Sequence, residues 1–216
     1  MYSLLKKFSH LPLRVIQTLA SAIGTLLYIS NSSAKRTTEL NIKAVYPKLD
    51  DHHQQQLIKS SLKSQSMTYA ESIKIWGSSP EFALEQIKEV HHPEIFLNAL
   101  KNPNGTLGVV PHFGTWELMN AWVNQHTNPV IMYKPSKNKD LDRFMLESRQ
   151  QLNATLVPTD DSGVRALFKH LKQGGFTAIL PDHIPKESGG IYSDFYGQKA
   201  FSSTLLSKLA AKTQCS

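Results

Sequence analysis

Thr106-Leu107-Gly108-Val109-Val110-Pro111-His112-Phe113-Gly114-Thr115-Trp116-Glu117-Leu118 is the stretch whose reading decides the fold. Leu107 to Val110 is a short, β-branched apolar run, which reads as a buried strand and is too short for a helix of its own. Pro111 ends the run and Gly114 permits a sharp turn. Thr115 then reads as the N-cap of a helix through Glu117, Leu118, Met119 and Trp122. His112 accordingly falls at the carboxyl end of a strand, where open α/β sheets place their sites. Glu117 falls in the first helical turn, where the macrodipole favours an ionised carboxylate.

The five-residue step from His112 to Glu117 carries little by itself. With 9 His and 17 acidic residues among 216, chance places about 0.7 acidic residues at that distance from a His. On one continuous helix the step would point the side chains about 140° apart. The pair can meet only across a turn, which Gly114 supplies.

Further along the chain the same alternation repeats. Val130-Ile131-Met132-Tyr133 reads as a second strand, followed by Lys134-Pro135-Ser136-Lys137-Asn138 and a helix carrying Leu141, Phe144, Met145 and Ser148. Leu156-Val157-Pro158 is a third short strand, and residues 163–173 read as a helix ended by Gly174-Gly175. Phe176 to Asp182 is a strand that delivers an acidic residue at its carboxyl end, as the first delivers His112. Ser203-Thr204 opens a last helix, Leu205 to Lys212. The fold class expected is therefore α/β, a mostly parallel or mixed sheet flanked by helices.

Ahead of it the chain is mainly helical. Asp50 or Asp51 caps a helix whose Ile58, Leu62, Tyr69, Ile73 and Trp76 recur at helical steps, and Gly77-Ser78-Ser79-Pro80 breaks it. Shorter helices follow around Phe82–Ile87 and Ile95–Leu100. The adjacent His91 and His92 have no Cys nearby and no acidic partner at ligand spacing, so no metal is expected there.

Composition narrows the partners. A net charge of +7 calls for an anionic partner, and 40% hydrophobic with 19% charged residues is globular. Cys215 is the single cysteine, so the chain has no intramolecular disulfide. Residues 1–50 hold seven basic groups against two acidic ones, beside the uncharged run Val15–Ser30. That arrangement favours a membrane surface over a nucleic-acid groove. As a helix the run would extend about 24 Å, short of the roughly 30 Å hydrocarbon core. Spanning with help from flanking residues, lying in the interface, packing as a core helix, and serving as a cleaved signal peptide are all compatible with it. We take residues 1–34 as an N-terminal membrane-anchoring helix and 35–216 as the α/β domain. Gly-x-Ser-x-Gly elbows, Gly-x-Gly-x-x-Gly and Gly-rich phosphate loops are absent, which argues against serine hydrolases, dinucleotide enzymes and nucleotide hydrolases.

His112-Phe113-Gly114-Thr115-Trp116-Glu117 resembles the HX4(D/E) motif of membrane acyltransferases, in the version found in the late acyltransferases of lipid A biosynthesis. The resemblance runs in order along much of the chain. Arg36 to Pro47 has the cadence of that family's Arg…Asn-Leu…Phe-Pro segment. Tyr133-Lys134-Pro135, Asn138, Leu141-Asp142 and Arg149 resemble its Tyr-Arg-Pro…Asn…Leu-Asp…Arg block, with Lys134 in place of Arg. Pro181-Asp182-His183, Gly189-Gly190 and Phe195-Tyr196-Gly197 resemble its Pro-Asp-Gln, Gly-rich turn and aromatic-Phe-Gly, with His183 in place of Gln.

The resemblance implies transfer of a fatty acyl chain from acyl-acyl carrier protein to a hydroxyl of a lipid A precursor, at the cytoplasmic face of a bacterial inner membrane. It implies His112 as general base and Glu117 as the residue that orients it, with no metal or cofactor. A neutral imidazole near pH 7 can take the hydroxyl proton, and a carboxylate fixes its tautomer. Lys134, Arg149 and Lys137 are candidates for the acceptor's phosphates. Backbone N–H groups near Gly114, or Arg149, are candidates for the thioester oxyanion. Asp182 either contacts sugar hydroxyls or caps a turn. Two rival readings are an acyltransferase of glycerophospholipids or mannose-bearing lipids, and an inactive membrane-attached binding protein of the same fold.

Family members continue past the equivalent of Ser216, which implies that this chain is a fragment of a longer acyltransferase. The expectation is then that the apolar face of the last helix (Leu205, Leu206, Leu209) and a sheet edge lack cover, leaving the chain poorly stable.

Overall fold

The computed structural model describes all 216 residues. Its first half is a helical layer: α1 (Tyr2–Ser9), α2 (Leu13–Ile29), α3 (Ser33–Val45), α4 (Asp51–Trp76), α5 (Pro80–Gln86) and α6 (Pro93–Ala99). Helix α4 is the spine. Asp50 caps it by accepting the His53 amide at 3.1 Å, and it runs 26 residues, about 39 Å at 1.5 Å per residue. Helix α2 lies along α4, burying Ile16 and Ala20 against Ala70. A side chain at Gly24 could not be accommodated, because its Cβ would fall 2.6 Å from the Cα of Lys63. Ile42 of α3 closes a second cluster with Ile58 and Leu62.

The second half alternates as the sequence predicts: β1 (Thr106–Val109), α7 (Glu117–Asn124), β2 (Val130–Tyr133), α8 (Lys139–Gln150), β3 (Thr155–Pro158), α9 (Asp161–Lys172) and β4 (Phe176–Ile179). Strand β1 pairs in parallel with β4, and β2 in parallel with β3. Strand β4 also runs beside β2. There the fully buried Thr177 hydroxyl donates to the Val130 carbonyl at 2.6 Å, so the seam between the two strand pairs is bridged by a side chain. Leu107, Ile179, Leu167 and Leu171 form the core beneath the strands.

Three features depart from the sequence reading. Residues 1–34 do not form one helix: α1 and α2 meet at 120°, and no single helix is long and apolar enough to cross a membrane. Helix α1 is strapped across the domain. The amino terminus pairs with Asp140 of α8 at 3.0 Å, and the Tyr2 hydroxyl bonds Glu147. Secondly, residues 190–203 form an antiparallel hairpin, β5 (Gly190–Phe195) and β6 (Gln198–Ser203), turning at Tyr196 with φ of 49°. Thirdly, the last helix, α10 (Leu205–Thr213), does have cover: Leu209 is buried in the main core, with Leu205 and Leu206 packed against it. Ser216 lies along the β1 edge, its carbonyl accepting the Leu107 amide at 2.9 Å. The expected bare apolar face is absent because α10 folds back onto α9.

Candidate active site

Parallel pairing builds the site. Val109 of β1 stands opposite Ile179 of β4, and each strand then continues three residues, through Pro111 to His112 and through Pro181 to Asp182. Equal extensions from a shared register bring the two side chains together. The Asp182 carboxylate takes both available groups of His112: Oδ1 lies 2.8 Å from the ring Nδ1, and Oδ2 accepts the backbone N–H at 2.7 Å. A carboxylate only accepts, so Nδ1 carries the proton and the Nε2 lone pair is left free. Trp116 sets its ring nearly perpendicular to the imidazole, 4.9 Å between centroids. Burial pushes the Asp182 carboxyl upward, but the hydrogen bonds from the His112 ring and amide outweigh it and hold Asp182 below the usual carboxylate range.

Glu117 makes no hydrogen bond to His112. It is buried, and both its oxygens are occupied: Oε1 by Arg149 Nη2 at 3.2 Å, Oε2 by the Asn120 side-chain amide at 2.9 Å. The turn at Gly114 does intervene, with φ of 58°. The helix after it starts only at Glu117, and its first-turn carboxylate points to Arg149 of α8. Thr115 is not the N-cap either; Trp116 holds that position without a side-chain bond, and the Thr115 hydroxyl donates to Glu71 of α4.

The cations divide into two kinds. Arg149 is mostly buried, paired with Glu117 and stacked 5.1 Å over the Tyr133 ring, so its guanidinium is already committed. Lys134 and Lys137 are exposed in the loop after β2. That loop is fixed from within by Asp142, which accepts the Ser136 amide at 2.6 Å and the Tyr133 hydroxyl. Burial, then the Asp142 carboxylate, push the Tyr133 phenol up to about 12, so it stays a donor. Gly114 is exposed, and no atom lies within 4 Å of where its Cβ would be. Phe113 and Ile184, one and two residues from the dyad, are exposed apolar side chains.

Sequence reasoning finds His112 and places Asp182 at a strand end, but leaves the latter a sugar contact or a turn cap. A signal for the pairing is present: Val109-Val110-Pro111-His112 and Ile179-Leu180-Pro181-Asp182 are the same cassette, two apolar residues, proline, then a polar group. Glu71 escapes such reasoning; it lies on a helix far from the motif in sequence and nothing local marks it.

An imidazole held by a carboxylate at the ends of paired parallel strands, with one ring nitrogen unbonded, is an arrangement suited to accepting a proton. The family model described as bacterial lipid A biosynthesis acyltransferase matches residues 2–216, and the chain belongs to that family. Among curated proteins no significant match was found. By family, then, the protein is an acyltransferase of lipid A biosynthesis.

Proposed function

We propose that this chain transfers a fatty acyl group from the thioester of acyl-acyl carrier protein to a hydroxyl of a lipid A precursor, with His112 as base and Asp182 as its orienter. The observation that supports this most is the doubly bonded His112–Asp182 pair, with Nε2 left free. The acceptor hydroxyl gives its proton to Nε2 as its oxygen attacks the thioester carbon. The tetrahedral oxyanion collapses, the carbon–sulfur bond breaks, and the imidazolium returns the proton to the departing thiolate. Asp182 stabilises the imidazolium between these events. The exposed backbone turn at Gly114 offers N–H groups for the oxyanion, and this reading favours it over Arg149, whose guanidinium is engaged by Glu117. Lys134 and Lys137 are the cations available to the acceptor's phosphates.

The site works at a lipid surface on this reading, the cytoplasmic face of the inner membrane. Supporting it, α2 turns Val15, Leu19, Ile23, Leu26 and Ile29 outward, at steps of three and four, on the side opposite Ile16, Ala20 and Gly24. The basic excess of residues 1–50 suits both anionic lipid and an acidic carrier protein.

Release of free carrier protein from acyl-acyl carrier protein, measured with and without a lipid A precursor in detergent, tests the proposal. Acceptor-dependent release with an acylated glycolipid product is expected. Release that ignores the glycolipid but responds to a glycerophospholipid, or no release by a folded chain, would overturn it.

A further inference from the structure

Glu71 sits on α4 and bonds both to α2 and to the segment that follows His112. Its Oε1 accepts the side-chain amide of Gln17, on α2, at 2.7 Å, and its Oε2 accepts the hydroxyl of Thr115. Thr115 belongs to the segment 112–116, which has no regular structure and joins His112 to α7. Asp182 holds one end of that segment and the buried Glu117–Arg149 pair the other. Between them Gly114 has an αL backbone with no atom within 4 Å of a notional Cβ, so packing there does not fix the path. The Thr115–Glu71 bond ties the middle of the segment to the helical layer.

Glu71 pairs with no cation within salt-bridge distance. Both its partners are neutral donors, one on each carboxylate oxygen, so the side chain between them must accept from both. This arrangement points to placement, not to charge compensation. We propose that Glu71 is a positioning residue: it sets the path of the segment carrying His112 and, through Gln17, registers that segment to α2, whose outer face is the apolar stripe. Its effect on catalysis rests on the proposed role of His112; its effect on the segment does not.

Millisecond-to-second amide exchange across residues 111–118, read alongside steady-state acyl transfer, tests this on the full chain in detergent micelles. In Glu71→Ala, exchange at 112–116 should rise about tenfold or more, and kcat should fall about 10- to 100-fold with KM little changed, because the bound geometry and not affinity is lost. The double variant Gln17→Glu/Glu71→Gln keeps both hydrogen bonds with one reversed, the new amide donating to residue 17 and accepting from Thr115. It should return exchange and kcat to within about threefold of the parent. Parent-like exchange in Glu71→Ala would overturn the proposal. So would a double variant as loose as Glu71→Ala while unfolding at the parent's temperature. A parent chain without transfer activity whose segment still loosens in Glu71→Ala would sink the function proposed above and leave the positioning role standing.

Discussion

His112 and Asp182 occupy equivalent places, each three residues beyond a paired strand end, and are joined by two hydrogen bonds of 2.8 and 2.7 Å. The second runs to the backbone of His112 and not its ring, so the carboxylate fixes the main chain and the imidazole together. Rotation of the ring then breaks only one of the two contacts, and the backbone contact remains. Glu117, which the HX4(D/E) resemblance offers for the same task, is spent on Arg149.

That burial changes what Glu117 variants report. Removing one partner of a buried, hydrogen-bonded ion pair typically costs about 3–5 kcal/mol. Glu117→Ala and Arg149→Ala should therefore each lower stability by roughly that much in urea unfolding, and the double variant Glu117→Leu/Arg149→Met should cost clearly less than their sum. Additive losses would show that the two side chains act independently.

Acid should act on the dyad in a defined direction. Asp182 is held below the usual carboxylate range in the folded chain, whereas unfolded Asp titrates near about 3.9. The folded form thus binds its proton less readily, and the contact stabilises the protein fully above that pH. The stabilisation is lost as pH falls through the depressed folded value. Unfolding of the parent and of Asp182→Asn, compared from about pH 6 down to about pH 2, should show a stability gap that narrows on acidification. The side chains are partly exposed, so the gap should be modest. A gap that widens in acid would contradict the pairing.

Helix α2 offers a test of attachment that leaves the core untouched. Leu19→Ser and Ile23→Ser, both on the outward stripe, should together weaken cosedimentation with vesicles containing anionic lipid by about tenfold or more, each lost apolar side chain being worth up to roughly 1.5–3 kcal/mol when fully buried. Thermal unfolding in detergent should not change. Undiminished vesicle binding would place the membrane contact elsewhere.

Much of the α/β half is legible in the sequence, because short apolar strands bounded by proline and glycine leave few other readings. The expected runs Leu107 to Val110, Val130 to Tyr133 and Phe176 to Asp182 contain the strands observed at Thr106–Val109, Val130–Tyr133 and Phe176–Ile179, the first shifted by one residue and the last ending three residues early. His112 is legible for the same reason. What does not show is anything decided by packing between distant elements. Arg149, which pairs with Glu117, and Glu71, which accepts from Thr115, come from α8 and α4, 32 and 44 residues away, and no local pattern specifies them. The docking of Met1 and Tyr2 on α8 is longer still in range. The β5–β6 hairpin escapes notice because its strands alternate weakly and its turn, Tyr196-Gly197, lacks the usual Asn or Asp. The cover over Leu209 depends on how α10 folds back, which its own amphipathic pattern does not reveal.

Asp182 as the partner of the base is the central claim, and the acyl-transfer rate of Asp182→Ala measures it most directly. With carrier-bound acyl donor and lipid A precursor in detergent, kcat should drop about 10²–10⁴-fold in Asp182→Ala and by at least as much in His112→Ala. The fold should survive in both, since each side chain is more than a third exposed. Asp182→Ala turning over at the parental rate, while a folded Glu117→Gln is inactive, would contradict the claim and return the orienting role to Glu117.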